Sequence, residues 1–151
     1  TEPARGFVCE PDGENPGWLR WRIADPTRFN EVVLGRVLAR AEGADHCRVR
    51  MFPQHFHTNS AGNVHGAITL ALIDVSLFAA MNILRGVDAA SSVTLGLETQ
   101  FIGAGDAAQP LDAVVEVLRE TRRIGFLRGL VEQDGALVSS FSATIRKPTG
   151  K

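Results

Sequence analysis

A long apolar stretch that contains one carboxylate constrains this chain more than any other feature. Residues 67–84 are almost entirely apolar, and Asp74, near their middle, is the only charged side chain among them. A lone carboxylate in an apolar helix costs several kcal/mol unless it is paired or takes part in chemistry. The position of Asp74 is therefore the first indication of function.

The stretch is about as long as a membrane-spanning helix, but its polar residues argue for a buried one. Thr69, Ser76 and Asn82 are spread along it in addition to Asp74, and such groups are uncommon in membrane spans. We therefore predict a buried helix over residues 65–84 and no membrane partner. Because its apolar residues occupy every face, other elements should surround it.

Length, charge and cysteine content narrow the class of protein. A chain of 151 residues has the size of one domain with a real core. The formal net charge of −1 argues against a nucleic-acid partner. Cys9 and Cys47 form neither a disulfide framework nor a metal-binding spacing. Together with the absence of an apolar signal-peptide core in the first 20 residues, this favours the cytoplasm.

The N-terminal residues differ in composition from the rest of the chain. We predict an N-terminal extension over residues 1–27 and a single domain over residues 28–151. Pro, Gly and acidic residues are frequent in residues 1–17, which favours irregular structure. Residues 18–23 alternate weakly and predict a short strand or an extended arm.

A short helix should open the domain, and strands should make up most of the remainder. Asp25 followed by Pro26 is typical of a helix start, so we expect a helix from Pro26 to about Leu34 that Gly35 ends. Alternating apolar residues predict strands over residues 36–42, 46–52, 92–101, 111–121, 125–133 and 136–147.

The order of these elements predicts an α+β fold. In that fold one antiparallel sheet of about six strands wraps the single long helix. Asp134-Gly135 is a strong signal for a two-residue hairpin between the last two strands. In the first strand after the helix, strict alternation would put Val93, Leu95, Leu97, Thr99 and Phe101 on one side. Since a single wrapped sheet leaves one side of the helix and one sheet edge open, we expect a second subunit.

The start of the long helix offers an anion-binding group. Gly66 lies at or near the helix N-terminus, where backbone N–H groups have no partner within the helix and the dipole is positive. Such an N–H can hold an oxyanion or a polarised carbonyl oxygen, and glycine lets a substrate approach closely. Asn59 and His65 lie where they can add hydrogen bonds.

The spacing between Gly66 and Asp74 predicts a shared site. Eight residues separate them, which is about 12 Å along a helix axis, too far for both to serve one reacting carbon within one chain. Two antiparallel copies of the helix would bring Asp74 of one chain to Gly66 of the other, with two identical sites in a two-fold dimer. Asp74 would act there either as a general base or as a nucleophile. Nothing in the sequence supplies a metal or an organic cofactor.

A set of residues around the helix start resembles a family motif. His57-x-Asn59, Gly62, His65-Gly66 and Asp74 together resemble the motif of hotdog-fold acyl-CoA thioesterases of the phenylacetate-degradation (PaaI-like) type. The order of strands is similar too, and the likeness covers roughly residues 28–147. The resemblance implies a hotdog fold, hydrolysis of an acyl-CoA thioester to free acid and CoA, and coenzyme A present only as part of the substrate. It also implies a homodimer, with a dimer of dimers as a larger assembly.

The resemblance assigns a role to each motif residue. It implies that the N–H of Gly66 binds the thioester carbonyl, that Asn59 contacts the thioester, and that His65 lies near the sulfur. Asp74 would activate or supply the attack across the dimer interface. A hydroxyl residue on the strand after the helix would orient the water, and Ser92 matches that position.

Two details of the motif leave choices open. Ser91 and Thr94 flank Ser92, and either is an alternative for the hydroxyl that orients the water. Members of the family often have two glycines after the histidine, whereas this chain has Gly66-Ala67. Alanine keeps the N–H and suits a helix, so we expect little loss and a narrower pocket beside the thioester.

Structural roles compete with each of these assignments. Asp74 can be a buried acid satisfied by neighbouring donors, His65 a helix cap, Asn59 the centre of an Asx-turn, and Ser92 an outward-facing strand serine. His55-x-His57 hints at a metal, but no cysteine or acid completes the spacing.

Residues for substrate binding are predicted with alternatives as well. The candidates are Thr94, Phe78, Arg122, Arg123 and Lys147. The three basic side chains can meet the phosphates of coenzyme A or form a solvated sheet edge, and Phe78 can line an acyl pocket or pack in the core. Two other functions remain open: a noncatalytic acyl-CoA-binding module, and a hydratase or dehydratase on the same fold, whose acid usually precedes its histidine.

Overall fold

In the computed structural model, which describes residues 6–148, one antiparallel sheet packs against one long helix. The sheet strands are β1 (Phe7–Pro11), β2 (Leu19–Ile23), β3 (Val37–Ala41), β4 (His46–Met51), β5 (Val93–Phe101), β6 (Leu111–Glu120), β7 (Ile124–Gln133) and β8 (Ala136–Arg146), and the helix is α1 (Gly66–Arg85). The strand order is β1-β2-β3-β4-β6-β7-β8-β5, so β1 and β5 are the two edges.

The prediction of about six strands was wrong, because the described part of the predicted extension adds two more. β1 lies in the region expected to be irregular and pairs with β2 from Phe7–Ile23 to Pro11–Leu19, while β2 in turn pairs with β3. Phe7 stacks on the buried Trp21 with ring centroids 4.8 Å apart. The apolar contact and the ladder hydrogen bonds together offset the cost of ordering a short strand.

The short helix of the sequence prediction begins later than expected. The residues after Asp25 form a turn, in which its carboxylate accepts from the N–H of Thr27 at 2.9 Å. Only Asn30–Leu34 is helical, as one π-helical turn. Gly35 ends it with a φ of 69°, a conformation that glycine adopts without strain. This short segment is called the π-turn below.

The predicted buried helix is confirmed. α1 packs on β3, β4 and β6, and Leu72, Ile73 and Leu77 are fully buried between helix and sheet. By length and composition alone α1 would also be able to cross a membrane, and half of its most apolar window is buried within the described residues. Its C-terminus is capped by Gly86, whose N–H donates to the backbone carbonyl of Asn82.

One side of α1 is left uncovered by the sheet. Ala67, Ala71, Asp74 and Phe78 recur every three or four residues, Leu70 lies four residues before Asp74, and all five are at least partly exposed. This set is called the open helix face below. The edge strand β5 is nine residues long and exposes the apolar side chains of Val93, Leu95 and Phe101. Both features are typical of a surface that a second subunit covers.

A bulge in β5 changes which side chains face the helix. The register shifts between Thr94 and Gly96, so that Thr94 lies opposite Ile145 and Leu97 opposite Ala143. Thr94 therefore shares the helix-facing side with Leu97, Thr99 and Phe101, which strict alternation does not allow. The prediction that five residues share one side of β5 was therefore wrong for the first two of them, Val93 and Leu95.

Gly129 of β7 lies close to both neighbouring strands, β6 and β8, and tests the packing of the sheet. A Cβ atom at Gly129 would lie 2.2 Å from the carbonyl oxygen of Val114 and 2.4 Å from Cζ of Phe141. We expect Gly129→Ala to lower the free energy of unfolding by about 1–3 kcal/mol, measured by chemical denaturation. The matched control is Gly96→Ala, whose Cβ meets only Oγ1 of Thr144, at 3.4 Å. Equal stabilities of the two variants would contradict this packing.

Candidate active site

The start of α1 presents a backbone donor without a partner among the described residues. His65 is the N-cap, and its Nδ1 accepts from the N–H of Ala67 at 2.9 Å. Because Nδ1 accepts, the proton of the neutral ring is on Nε2, which makes that atom a donor beside the helix start. The N–H of Gly66 makes no hydrogen bond within residues 6–148. The ring of Phe101 lies next to it, 3.3 Å from where a Cβ of Gly66 would be.

A buried histidine holds the loop that precedes α1. His57 is 1% exposed, its Nδ1 accepts from the N–H of Gln54 at 2.9 Å, and its Nε2 donates to the carbonyl of Val33 at 2.5 Å. Its own carbonyl accepts from the N–H of His65 at 2.8 Å. Both ring nitrogens are thus used inside the chain, and the described residues contain no group of three side chains able to hold a metal ion.

Asn59 shapes the same loop. Its side-chain oxygen accepts from the N–H groups of Ala61 and Asn63 at 3.0 and 3.1 Å, the pattern of an Asx-turn. The side chain is exposed, and its Nδ2 donates to no atom of the described chain. The competing structural role therefore applies to the oxygen, while the amide nitrogen remains a donor for a ligand.

Asp74 is paired with Thr94, one of the two alternatives to Ser92. Oγ1 of Thr94 donates to Oδ1 of Asp74 at 2.7 Å. The hydroxyl of Ser92 instead donates to the carbonyl of Asp88 at 2.7 Å, so its proton is already used. Within residues 6–148 the second carboxylate oxygen of Asp74 has no donor, which leaves it available to a water or a substrate.

A cavity of about 250 Å³ lies beside Asp74. Phe78 and Ser92, both candidates from the sequence, line it together with Asp74. Its far wall comes from the N-terminal part of the chain, namely Phe7, Ile23 and Asn30. Sequence reasoning missed these three residues because they are more than 40 positions from Asp74 in the chain and no local pattern links them to it.

The basic candidates lie at the other end of α1. Arg122 and Arg123 are exposed in the turn between β6 and β7. The Nζ of Lys147 donates to Oε2 of Glu120 at 2.7 Å. The other carboxylate oxygen, Oε1 of Glu120, is 3.6 Å from Nε of Arg85 at the helix C-terminus. Since α1 has 20 residues, this basic end is about 30 Å from Gly66 of the same chain.

Neither cysteine is suited to act as the nucleophile. Burial raises the pKa of Cys47 to about 12, so its thiol stays protonated at neutral pH. Partial burial, followed by the charge of Glu10, also raises the pKa of Cys9 above its ordinary value. The carboxylate of Asp74 is therefore the candidate for the activating group.

Solved structures that share this architecture define the fold. The E. coli PaaI protein from the phenylacetic acid degradation operon is 18% identical over 83% of this chain and 88% of that one, with a TM-score of 0.70. Zebrafish thioesterase superfamily member 2 is 22% identical over 82% and 88%, with a TM-score of 0.69. A hypothetical thioesterase from Streptococcus pneumoniae, solved with coenzyme A, is 22% identical over 75% and 90%, with a TM-score of 0.64. The sheet and its helix thus form a hotdog fold, as predicted.

The family follows from the sequence match. A family model described as the N-terminal domain of acyl-CoA thioesterases matches residues 55–146, from the loop before α1 to the end of β8. The chain belongs to this acyl-CoA thioesterase family, which confirms the prediction of a thioester hydrolase. None of the curated protein sequences compared with the chain matches it.

The contacts of His57 predict a structural role for that residue. His57→Phe would leave the Gln54 N–H and the Val33 carbonyl without partners. We expect it to lower the free energy of unfolding by about 2–4 kcal/mol, measured in urea. The matched control is His55→Phe, which changes an exposed histidine two residues away and should stay within about 0.5 kcal/mol of wild type. Equal stabilities of His57→Phe and His55→Phe would argue against a structural role of His57 in this loop.

Proposed function

We propose that two copies of this chain hydrolyse an acyl-CoA thioester at two sites that they share. The observation that carries the proposal is the position of two groups on one helix. The Gly66 N–H at the start of α1 is without a partner in the described chain, and the half-buried Asp74 is eight residues further on. About 12 Å of helix separates them, so a second chain is needed for both to act on one carbonyl.

The surfaces left uncovered support such a pair. The open helix face is apolar apart from Asp74, and Leu70 on it is 38% exposed. Two such faces packed antiparallel would bury each other and bring Asp74 of the partner subunit towards Gly66. The edge strand β5 lies beside this face and can pair with its own copy, which would satisfy its free backbone groups.

The reaction then follows from hydrogen bonding and charge. The Gly66 N–H, helped by the amide nitrogen of Asn59 and by Nε2 of His65, polarises the thioester carbonyl. Asp74 of the partner subunit takes a proton from a water whose oxygen bonds to the carbonyl carbon. The oxyanion that forms is held at the helix N-terminus. When the carbon–sulfur bond breaks, the proton passes to the leaving thiolate, and the products are a carboxylic acid and CoA.

Thr94 orients the base in this scheme. Its hydroxyl holds Oδ1 of Asp74 at 2.7 Å, which directs the second oxygen towards the water. Ser92 is left to accept a hydrogen bond from that water, because its proton is bonded to Asp88. The role predicted for one hydroxyl, at Ser92 or at one of its alternatives, is thus divided between Ser92 and Thr94 in the proposed mechanism.

Coenzyme A would extend from the site towards the basic end of the partner. Asp74 is 11 residues before Arg85, which is about 16 Å of helix. In an antiparallel pair, the Arg122, Arg123 and Lys147 of the subunit that supplies Asp74 are therefore at a distance that suits the phosphates of a CoA whose sulfur is at the site. The substrate carries this CoA, and no further cofactor is needed.

A different apolar surface supports a larger assembly. On the side of the sheet away from α1, Leu118, Phe126 and Leu130 are each more than a third exposed, and an apolar patch of this kind favours a dimer of dimers.

Cys9 and Cys47 are both free thiols, which suits the cytoplasm.

Removing the proposed base gives the first activity test. We expect Asp74→Asn to lower the turnover of acyl-CoA at least about hundredfold, because an amide cannot accept the proton. Release of thiol measures the rate, and sedimentation measures the dimer, which should persist. Asp134→Asn is the matched control, since Asp134 is an exposed hairpin residue at a positive φ of 47°, which asparagine tolerates. Unchanged turnover in Asp74→Asn would refute the base role.

Removing the proposed donor to the thioester carbonyl gives the second activity test. Gly66→Pro deletes the N–H, and proline suits the first helical position after the extended His65, with φ −63° and ψ 137°. We expect its kcat to fall about 100- to 1000-fold. Gly66→Ala keeps the N–H and adds the same Cβ near Phe101, so it should stay within about tenfold of wild type. Equal losses in both variants would point to crowding rather than to a lost donor.

A mixture of the two inactive chains tests the sharing itself. In a mixed dimer of Asp74→Asn and Gly66→Pro, one of the two sites has both groups intact. Random pairing should therefore restore about a quarter of wild-type activity. Mixed dimers verified by native mass spectrometry but without activity would contradict a shared site.

A further inference from the structure

We propose that the N-terminal hairpin and the π-turn form the specificity wall of the acyl pocket, where Asn30 selects an acyl group that carries a neutral oxygen substituent. The inference rests on the proposed function, because it assigns the cavity beside Asp74 to the acyl half of the substrate. The wall is made by β1, β2 and the π-turn. All three precede residue 55, where the match to the family model begins.

The size of the cavity limits what enters it. Its volume of about 250 Å³ equals that of about eight waters in the liquid. Pockets that bury a whole drug-sized ligand are larger, roughly 300–1,000 Å³. The cavity therefore suits an acyl group of about eight non-hydrogen atoms, with the CoA portion outside it.

The polarity of the lining identifies the kind of acyl group. Phe7, Ile23 and Phe78 present apolar surface to the cavity, which favours a mainly hydrocarbon chain. Asp74 and Ser92 are hydrogen-bonded to Thr94 and Asp88, and their remaining hydrogen-bonding capacity is assigned to the attacking water in the proposed mechanism.

Asn30 is different from those two polar residues. The residue is half-buried and lines the cavity, and its side-chain amide has no hydrogen-bond partner in the described part of the chain. A carboxamide both donates and accepts, so it can pair with a hydroxyl or a carbonyl oxygen. A chain without such an oxygen would leave the amide desolvated and unpaired, which is unfavourable.

Charge excludes a second carboxylate on the acyl group. Asp74 lines the same cavity as Asn30, and two like charges in a small, partly apolar space repel strongly. The substituent that fits is therefore neutral, a hydroxyl or an oxo group.

Two contacts hold the π-turn, which carries Asn30, in place before a substrate arrives. The neighbouring Glu31 accepts from the backbone N–H of Ile23 at 3.0 Å, which ties the π-turn to the end of β2. The carbonyl of Val33 accepts from Nε2 of His57 at 2.5 Å, which ties the other end of the π-turn to the loop before α1. Because the backbone of the π-turn is already ordered, binding a substrate at Asn30 requires no further ordering of the loop, and its hydrogen bond contributes to specificity.

The test compares two substrates that differ by one oxygen, hexanoyl-CoA and ω-hydroxyhexanoyl-CoA. We expect wild-type kcat/KM to favour the hydroxylated substrate by about three- to tenfold, as for one neutral hydrogen bond. Asn30→Leu has a similar volume and no polar group. It should abolish or reverse this preference by lowering kcat/KM for the hydroxylated substrate, while kcat/KM for hexanoyl-CoA rises, because no amide is then left unpaired against its chain. The matched control is Val32→Leu, which changes an exposed residue of the same π-turn, 62% exposed, and should keep the wild-type preference.

A second variant tests the wall independently of Asn30. Ile23→Ala enlarges the cavity, and the acyl-chain length of highest kcat/KM should rise by about two or three carbons. Thermal unfolding of each variant verifies folding.

The outcomes separate the two proposals. Parallel loss on both substrates in Asn30→Leu, or an unchanged length optimum in Ile23→Ala, would overturn the specificity wall while the thioesterase activity stands. A wild-type chain that cleaves no acyl-CoA at all would overturn the proposed function and this inference with it.

Discussion

The packing of α1 on one side only is the constraint on which the rest of this molecule depends. The sheet buries Leu72, Ile73 and Leu77 and leaves the opposite side, with Asp74, without a cover. Because the helix is rigid, the donor at its start and the carboxylate near its middle cannot approach each other. The geometry of one helix therefore makes a second subunit part of the proposed chemistry, rather than an addition to it.

Hydrogen bonds of the buried His57 link three regions that are distant in sequence. Its ring bonds to the π-turn and to its own loop, and its carbonyl bonds to the N–H of His65 at the helix start. The candidate carbonyl donor at Gly66 and the candidate specificity residue Asn30 are thus positioned by the same side chain. His57, whose spacing from His55 hinted at a metal ligand, instead connects the π-turn to the loop before α1 within this chain.

Much of the fold was predictable because it depends on local periodicity. The helix and the six strands of the sequence prediction appear within one or two residues of their expected ends. Asp134 and Gly135 both adopt positive φ, as their hairpin signal required. β1 was missed because its five residues end in a proline and show no alternation, and its strand depends on pairing with β2 and on the stacking of Phe7 on Trp21. Thr94 was assigned less weight than Ser92 because a bulge, which alternation does not reveal, turns it towards Asp74.

The sequence by itself determined the helix, its lone carboxylate, the glycine eight residues before it and the family motif around them, because spacing along one helix converts directly into distance. Only the tertiary structure decided which side of that helix stays open, which hydroxyl bonds to Asp74, and which distant residues enclose the cavity beside it. Those features arise from contacts between segments tens of residues apart. Local propensity carries no information about such contacts, since burial and register become defined only when the sheet closes on the helix.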